Sequence, residues 1–231
     1  LVGSEMCIRD RFSHQFNLVL GNVERIIRGK TDQIATALVC VFAEGHLLLE
    51  DVPGTGKTTL AKSIANSMDS TWRRIQFTPD LLPSDVTGGM IYDQSHGTFE
   101  FRPGPVFANV VLADEINRAS PKTQAAMLEV MEEPHVTVDG DGRAVPRPFV
   151  VIATQNPIEQ EGTYRLPEAQ LDRFLLKTAI GYPDHDAEVD AVKRVTMGAD
   201  PEDLGPVISL DDAQRMIAIA RAAHVDDSIH D

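Results

Sequence analysis

Cysteine is almost absent from this chain. Of its 231 residues only Cys7 and Cys40 carry a thiol, and Cys7 belongs to a head segment that stands apart from the rest. Cys40 alone permits neither a disulfide nor a cysteine-based metal site, and its apolar helical surroundings mark it as inert core. Bases are also scarce. Lys and Arg number 21 against 35 Asp and Glu, a net charge of −14 and a pI near 4.8. That balance argues against general affinity for a nucleic acid backbone or an anionic membrane, while leaving room for a local basic loop. No apolar run is long enough to span a bilayer, so no membrane insertion is expected. No stretch reads as a secretory signal, which points to a cytoplasmic location. Repeats and low-complexity tracts are missing too. Aromatics make up only 6% of the residues, but 42% are hydrophobic, enough for one good-sized α/β core and part of a further domain.

The head, Leu1 to Arg11, fits no element of the pattern that follows. It resembles the translation of a transposon-type sequencing adaptor and is set aside from fold reasoning. It carries Glu5 and Asp10 against Arg9 and Arg11, so the net charge stays at −14 without it.

What is present is organised around Leu47 to Leu60. An apolar run stops at Val52-Pro53-Gly54-Thr55-Gly56, which leads through Lys57, Thr58 and Thr59 into a helical pattern. Strand, tight loop and helix N-terminus in that order suit a polyphosphate. Gly54 and Gly56 let the backbone curl so that its N–H groups converge on phosphate oxygens. The helix N-terminus adds partial positive charge, Lys57 a full one, and the Thr58 hydroxyl can ligate Mg²⁺. Asp51 departs from the pattern, which asks for glycine there.

The remaining chain alternates in the same way. Helices are expected over Phe12 to Ile27, Asp32 to Phe42, Thr58 to Ser67, Ser120 to about Glu132, and Asp184 to about Met197. A further helix begins at a Ser209/Asp212 capping box. Strands are expected over His46 to Leu49, Trp72 to Phe77, Asn109 to Asp114 and Phe149 to Ala153, with a fifth inside Leu171 to Ile180. Two hairpins read at Met90–Tyr92 with Thr98–Phe101, and at His135–Val138 with Ala144–Pro148. Thr78 to Gly89 reads as loop. Buried apolar strands alternating with helices imply a parallel sheet covered on both faces.

Three further constellations carry chemistry. Val110-Val111-Leu112-Ala113 ends in Asp114 and Glu115, which puts two carboxylates at the C-terminal edge of the sheet, where ligands of open α/β sheets sit. Asp114 can hold Mg²⁺, and Glu115 can polarise a water for in-line attack on a γ-phosphate. Val150-Val151-Ile152-Ala153 ends in Thr154, Gln155 and Asn156. Asn156 can orient the attacking water, or Asn156-Pro157 can be a plain turn. Arg173 can stabilise charge on a transferring phosphoryl group, or can simply pair with Asp172 at the surface.

Together these residues resemble the MoxR family of AAA+ ATPases. The resemblance is carried by Leu48 to Gly54, Phe77 to Gly88, Phe99 to Pro105, Ala113 to Ala119 and Ala153 to Phe174. It covers about Phe12 to Tyr182 nearly without gaps. It implies a P-loop NTPase core, a three-layer αβα sandwich with a five-stranded parallel sheet over residues 12–182, followed by a helical lid that starts near Pro183. It makes Pro53 to Thr59 the Walker A loop for ATP, Asp114 and Glu115 the Walker B pair, Asn156 the sensor-1 residue and Arg173 an arginine finger. Asp51 becomes a family mark, since the family carries Glu-Asp-Val-Pro-Gly there. Arg28 stands where the family usually has an apolar residue near the adenine, and Arg165 where it often has proline. The lid is cut off at Asp231 and no residue can be assigned as sensor 2, so a fragment of a longer gene is expected.

The resemblance further implies a homo-oligomeric, hexameric ring that remodels protein partners, and a partner carrying a von Willebrand factor A domain. Two other readings compete. One is a nucleotide-gated assembly module with little turnover, which would dispense with Glu115, Asn156 or Arg173. The other is a chelatase-type metal-insertion subunit, which the Phe77 to Gly88 stretch disfavours.

Overall fold

The computed structural model describes residues 2–51, 54–156, 162–181 and 204–223, with side chains from residue 9 onward. Its centre is a five-stranded parallel sheet. The strands are β1 (Leu47–Glu50), β2 (Trp72–Gln76), β5 (Val110–Asp114), β8 (Val150–Gln155) and β9 (Leu176–Thr178), in the order β2-β5-β8-β1-β9. The central strands are buried along their length because they are apolar on both faces.

Alternation along the strands sorts the core into two layers. Leu47, Leu49, Val110, Leu112, Val150 and Ile152 join one buried cluster. Leu48, Val111, Ala113, Val151 and Ala153 join the other. The first is covered by α1 (Val2–Glu24), α2 (Thr31–Phe42), α3 (Lys57–Ser67) and α7 (Leu210–Arg221). The second is covered chiefly by α5 (Pro121–Glu132), through Met127, Leu128, Val130 and Met131. This is the expected three-layer α/β sandwich. Cys40 is buried in the first cluster, and burial pushes its thiol up to about 12, in keeping with inert core.

Several boundaries differ from those read in the sequence. Helix α1 continues back to Val2, through ten of the eleven head residues; from Met6 to Arg11 it meets neither proline nor glycine. Arg11 donates to Asp212 on α7 at 3.2 Å. Within the stretch read as loop, Pro83–Thr87 forms a short helix, α4, with proline at its start and Asp85 accepting from the Leu82 N–H at 2.9 Å. The hairpin β3 (Gly88–Asp93) and β4 (Thr98–Pro103) is longer than expected. Its base is closed by Gly88 and Gly104, where a Cβ on Gly104 would stand 2.4 Å from the Gly88 nitrogen.

In the second hairpin, β6 (His135–Val138) pairs with β7 (Asp141–Ala144), which shares only Ala144 with the expected Ala144–Pro148. Asp139 and Gly140 both take positive φ, 52° and 85°, so the turn needs only two residues and the return strand starts earlier. Short helix α6 (Glu168–Leu171) precedes β9. The helix expected at Asp184 to Met197 lies outside the described residues. At Ser209 the cap forms: its hydroxyl accepts from Asp212 N–H at 3.1 Å and donates to that carboxylate at 2.9 Å. Ala213, Met216 and Ile217 of α7 share the core of α1 to α3.

His46, just ahead of β1, is buried at 7% exposure and pins two layers. Its Nδ1 accepts from the Val151 N–H at 3.0 Å, so Nε2 carries the proton and donates to the Met131 carbonyl at 3.0 Å. Burial lowers its pKa from 6.5. The folded state therefore binds fewer protons than the unfolded one below pH 6.5, and stability is complete above that pH and declines as pH falls. Unfolding free energies of the parent from urea titrations between pH 7.5 and 5.5 are expected to fall more steeply than those of His46→Gln, by up to about 1.4 kcal/mol per pH unit. Parallel slopes would remove His46 from the account.

Candidate functional site

The strand order decides which strand ends meet. The C-terminal ends of β1, β8 and β5 lie side by side, so the phosphate loop, Asn156 and the Asp114–Glu115 pair share one edge. Leu49 pairs with Thr154 and Ala113 with Ala153, which brings Asp114 level with Thr154. At roughly 4.8 Å per strand, Asp114 stands about 10 Å from β1, room for a triphosphate between them.

Val52 and Pro53 lie outside the described residues. Gly54 and Gly56 both have φ of 86°, and a Cβ on either would meet nothing within 4 Å. Glycine here serves the backbone's left-handed turn and leaves the loop's inner surface open. Gly56 then caps α3 from the left-handed region, and Lys57, Thr58 and Thr59 form its first turn. First-turn amides have no acceptor inside their helix, so they and the Lys57 ammonium suit an anion. Lys57 Nζ donates to the Asp51 carbonyl at 3.0 Å, folded back along the loop. Thr55 is buried.

At the acid pair the backbone turns sharply. Glu115 is left-handed at φ 56° and ψ 48°, a conformation costing about 1–2 kcal/mol outside glycine. One hydroxyl holds it there. Thr154 Oγ1 donates to Asp114 Oδ1 at 2.6 Å and accepts the Glu115 N–H at 2.9 Å. If the site hydrolyses a nucleotide as the sequence leads one to expect, a Thr154→Val chain keeps nucleotide affinity within a few-fold while its turnover falls about 10²-fold, the scale of a misplaced reacting group. Thr154→Ser should restore it. Steady-state kcat and KM of the three chains check this, and unchanged kcat in the valine chain would refute it.

Strand β2 adds two residues not singled out in the sequence. Arg74 donates to Asp114 Oδ2 through Nη2 at 2.6 Å and Nε at 3.2 Å, and to Gln76 Oε1 at 2.6 Å. Gln76 Nε2 in turn donates to Glu115 Oε2 at 2.9 Å, which Arg118 also approaches at 3.3 Å. Both acids are thus engaged, and a cation at Asp114 competes with Arg74. Nothing in Trp72-Arg73-Arg74-Ile75-Gln76 announced this, because it depends on β2 pairing with β5. Thr154 did leave a signal: a polar residue within a buried apolar strand.

Asn156 follows β8 at the level of Asp51, beside the loop, and is buried at 9% exposure. Arg173 stands elsewhere. Leu175 donates its N–H to the His46 carbonyl at 2.9 Å, ahead of β1, which places Arg173 at the N-terminal edge of the sheet. Its ion-pair partner is Glu132, at 2.6 Å and 3.0 Å, not Asp172.

The donor set fits Mg²⁺ and a polyphosphate: a glycine cradle with a lysine, a threonine hydroxyl and a strand-end aspartate. Fold and site define a P-loop nucleotide-binding protein. Residues 46–176 match the model of the ATPase family associated with various cellular activities (AAA). The chain is 53% identical to the uncharacterized protein YeaC of Bacillus subtilis over 211 residues, 90% of this chain and 65% of the relative. It is 46% identical to the chaperone MoxR1 of Mycobacterium tuberculosis over 207 residues, 90% of this chain and 54% of that one. The crystal structure of a presumed ATPase from Cytophaga hutchinsonii superposes with a TM-score of 0.89 at 40% identity, covering 99% of this chain and 69% of the other. The chain belongs to the MoxR family of AAA+ ATPases. It spans about two thirds of the length of the first of these relatives and about half of the second.

Proposed function

We propose that this chain binds ATP·Mg²⁺ and hydrolyses it within a ring of like subunits that remodels protein partners. The observation that carries the reading is the convergence of Lys57 and Thr58, Asn156, and Asp114 with Glu115 on three adjacent strand ends. The loop and Lys57 hold the phosphates, with Thr58 and Asp114 toward the metal. Glu115 takes the proton of the attacking water, and Asn156 orients that water. When bound, Mg²⁺ held by Thr58 and Asp114 would supply charge neutralisation to the phosphate chain.

Arg173 supports the ring. It lies at the sheet edge opposite its own phosphate loop, five strand residues away at roughly 3.3 Å each, so it serves a neighbouring subunit's nucleotide. The chaperone named MoxR1 favours a protein client, and the family resemblance favours a partner with a von Willebrand factor A domain. The acidic charge disfavours a nucleic acid partner. Among the described residues, no helix is long and apolar enough to cross a membrane.

A second reading, a nucleotide-gated assembly module with little turnover, is favoured by one observation: Arg74, Gln76 and Arg118 engage both acids. Phosphate release with Mg·ATP separates the two readings. Turnover that depends on Glu115 supports the first; tight binding without Glu115-dependent release supports the second.

A further inference from the structure

The residue that broke the phosphate-loop pattern is bonded to three parts of the fold at the loop's entrance. Asp51 is 7% exposed, and its three polar functions reach three separate parts of the fold. Its N–H donates to the Gln155 carbonyl at 3.2 Å, next to Asn156. Its carbonyl accepts the Lys57 ammonium at 3.0 Å. Its Oδ2 accepts two successive backbone amides, Ile180 at 2.9 Å and Gly181 at 2.8 Å. Gly181 has φ of 70°, a left-handed turn at which successive N–H groups can converge on one anion. Ordinarily such a pair of amides faces an external anion; here the chain supplies its own carboxylate.

Glycine at this position would free the loop from that segment and leave two amides without their acceptor, Ile180 in a buried place and Gly181 in a partly buried one. The ties to β8 and to Lys57 run through the backbone of residue 51 and would survive in glycine; the carboxylate adds the third tie, which anchors that backbone to the chain leaving β9. We propose that Asp51 is a positioning residue for the nucleotide: it presets the phosphate loop and Lys57 by anchoring them to the segment that leaves β9. The inference rests on the ATP-site reading above and adds the dependence of that site on the chain that follows β9.

The test is titration calorimetry with Mg·ADP on the 231-residue chain and on Asp51→Gly, Asp51→Asn and Lys57→Ala. It is run below the melting onset of each chain. If Asp51 merely fills a tolerated loop position, glycine, the usual residue of phosphate loops, binds as well as the parent or better. If Asp51 positions the loop, Asp51→Gly binds about 10 to 100 times more weakly, the scale of losing a charge-assisted partner for buried amides. Asp51→Asn keeps an acceptor without the charge and falls in between. Should the glycine chain not fold, the asparagine chain decides: affinity equal to the parent overturns the inference, weaker affinity supports it. A parent that binds Mg·ADP while all Asp51 variants bind equally overturns this inference alone. A parent that binds no better than Lys57→Ala overturns the ATP-site reading and this inference with it.

Discussion

A Glu115→Gln chain is expected to bind Mg·ATP with the parent's affinity and to release phosphate about 10²–10⁴ times more slowly, the usual yield of a positioned general base. The phosphate contacts explain the first half. On the proposed reading they lie on the loop and on Lys57, one strand removed from Glu115 across β8. The second half follows from geometry and chemistry together. The Glu115 backbone is held in a left-handed turn by Thr154, so the side chain leaves the strand end at a set angle. The amide copies its shape but cannot take a proton at neutral pH. Gln76 and Arg118 donate to the carboxylate, and an amide oxygen can still accept from them. The fold should therefore be little disturbed. Calorimetric affinity and a phosphate-release assay on the same preparation check both halves. Parent-like turnover in the glutamine chain would remove Glu115 from the mechanism and leave the assembly-module reading.

How far the sequence told of this site depends on which forces shape each part. The loop, the acid pair and Asn156 are consecutive with their strands, so short-range pattern sufficed. Their convergence follows from strand order, which alternation of strands and helices implied only as a class. Arg74 and Gln76 were silent, and Thr154 showed only as a polar residue in an apolar strand, for the opposite reason. Each acts across a strand pairing some 40 residues away in sequence, and a cross-strand partner is not written in local periodicity. Asp51 is the instructive case. Its neighbours in sequence made it look like a defect in a phosphate loop, and family likeness made it a mark without a cause. Its reason lies 129 and 130 residues downstream, in the Ile180 and Gly181 amides. Boundaries failed where tight turns decided them, as at Asp139-Gly140, or where nothing stopped a helix, as at α1.

Arg173→Ala is expected to lower phosphate release by about 10³-fold or more in an assembled ring, the scale of losing an arginine finger, with affinity for Mg·ATP nearly unchanged. In its own subunit the guanidinium pairs with the Glu132 carboxylate at 2.6 Å, at the far end of α5 from the turn that follows Glu115. That helix is twelve residues long, about 18 Å at 1.5 Å per residue, which no arginine side chain spans. An effect on hydrolysis must then pass to another subunit, and mixing can show it. The Arg173→Ala chain has a complete site and no finger; the Glu115→Gln chain has a finger and no base. If the finger acts between subunits, an equimolar mixture of the two inactive chains regains part of the parent's activity, because some interfaces join an intact base to an intact finger. If Arg173 only braces α5 through Glu132, the mixture stays inactive and Glu132→Gln is as damaging as Arg173→Ala. The pair is half-exposed, so its own contribution to stability is about 0–1 kcal/mol, too small to account for a thousandfold loss. Recovery on mixing would at once assign Arg173 to the neighbour's nucleotide and require the ring; silence would withdraw both.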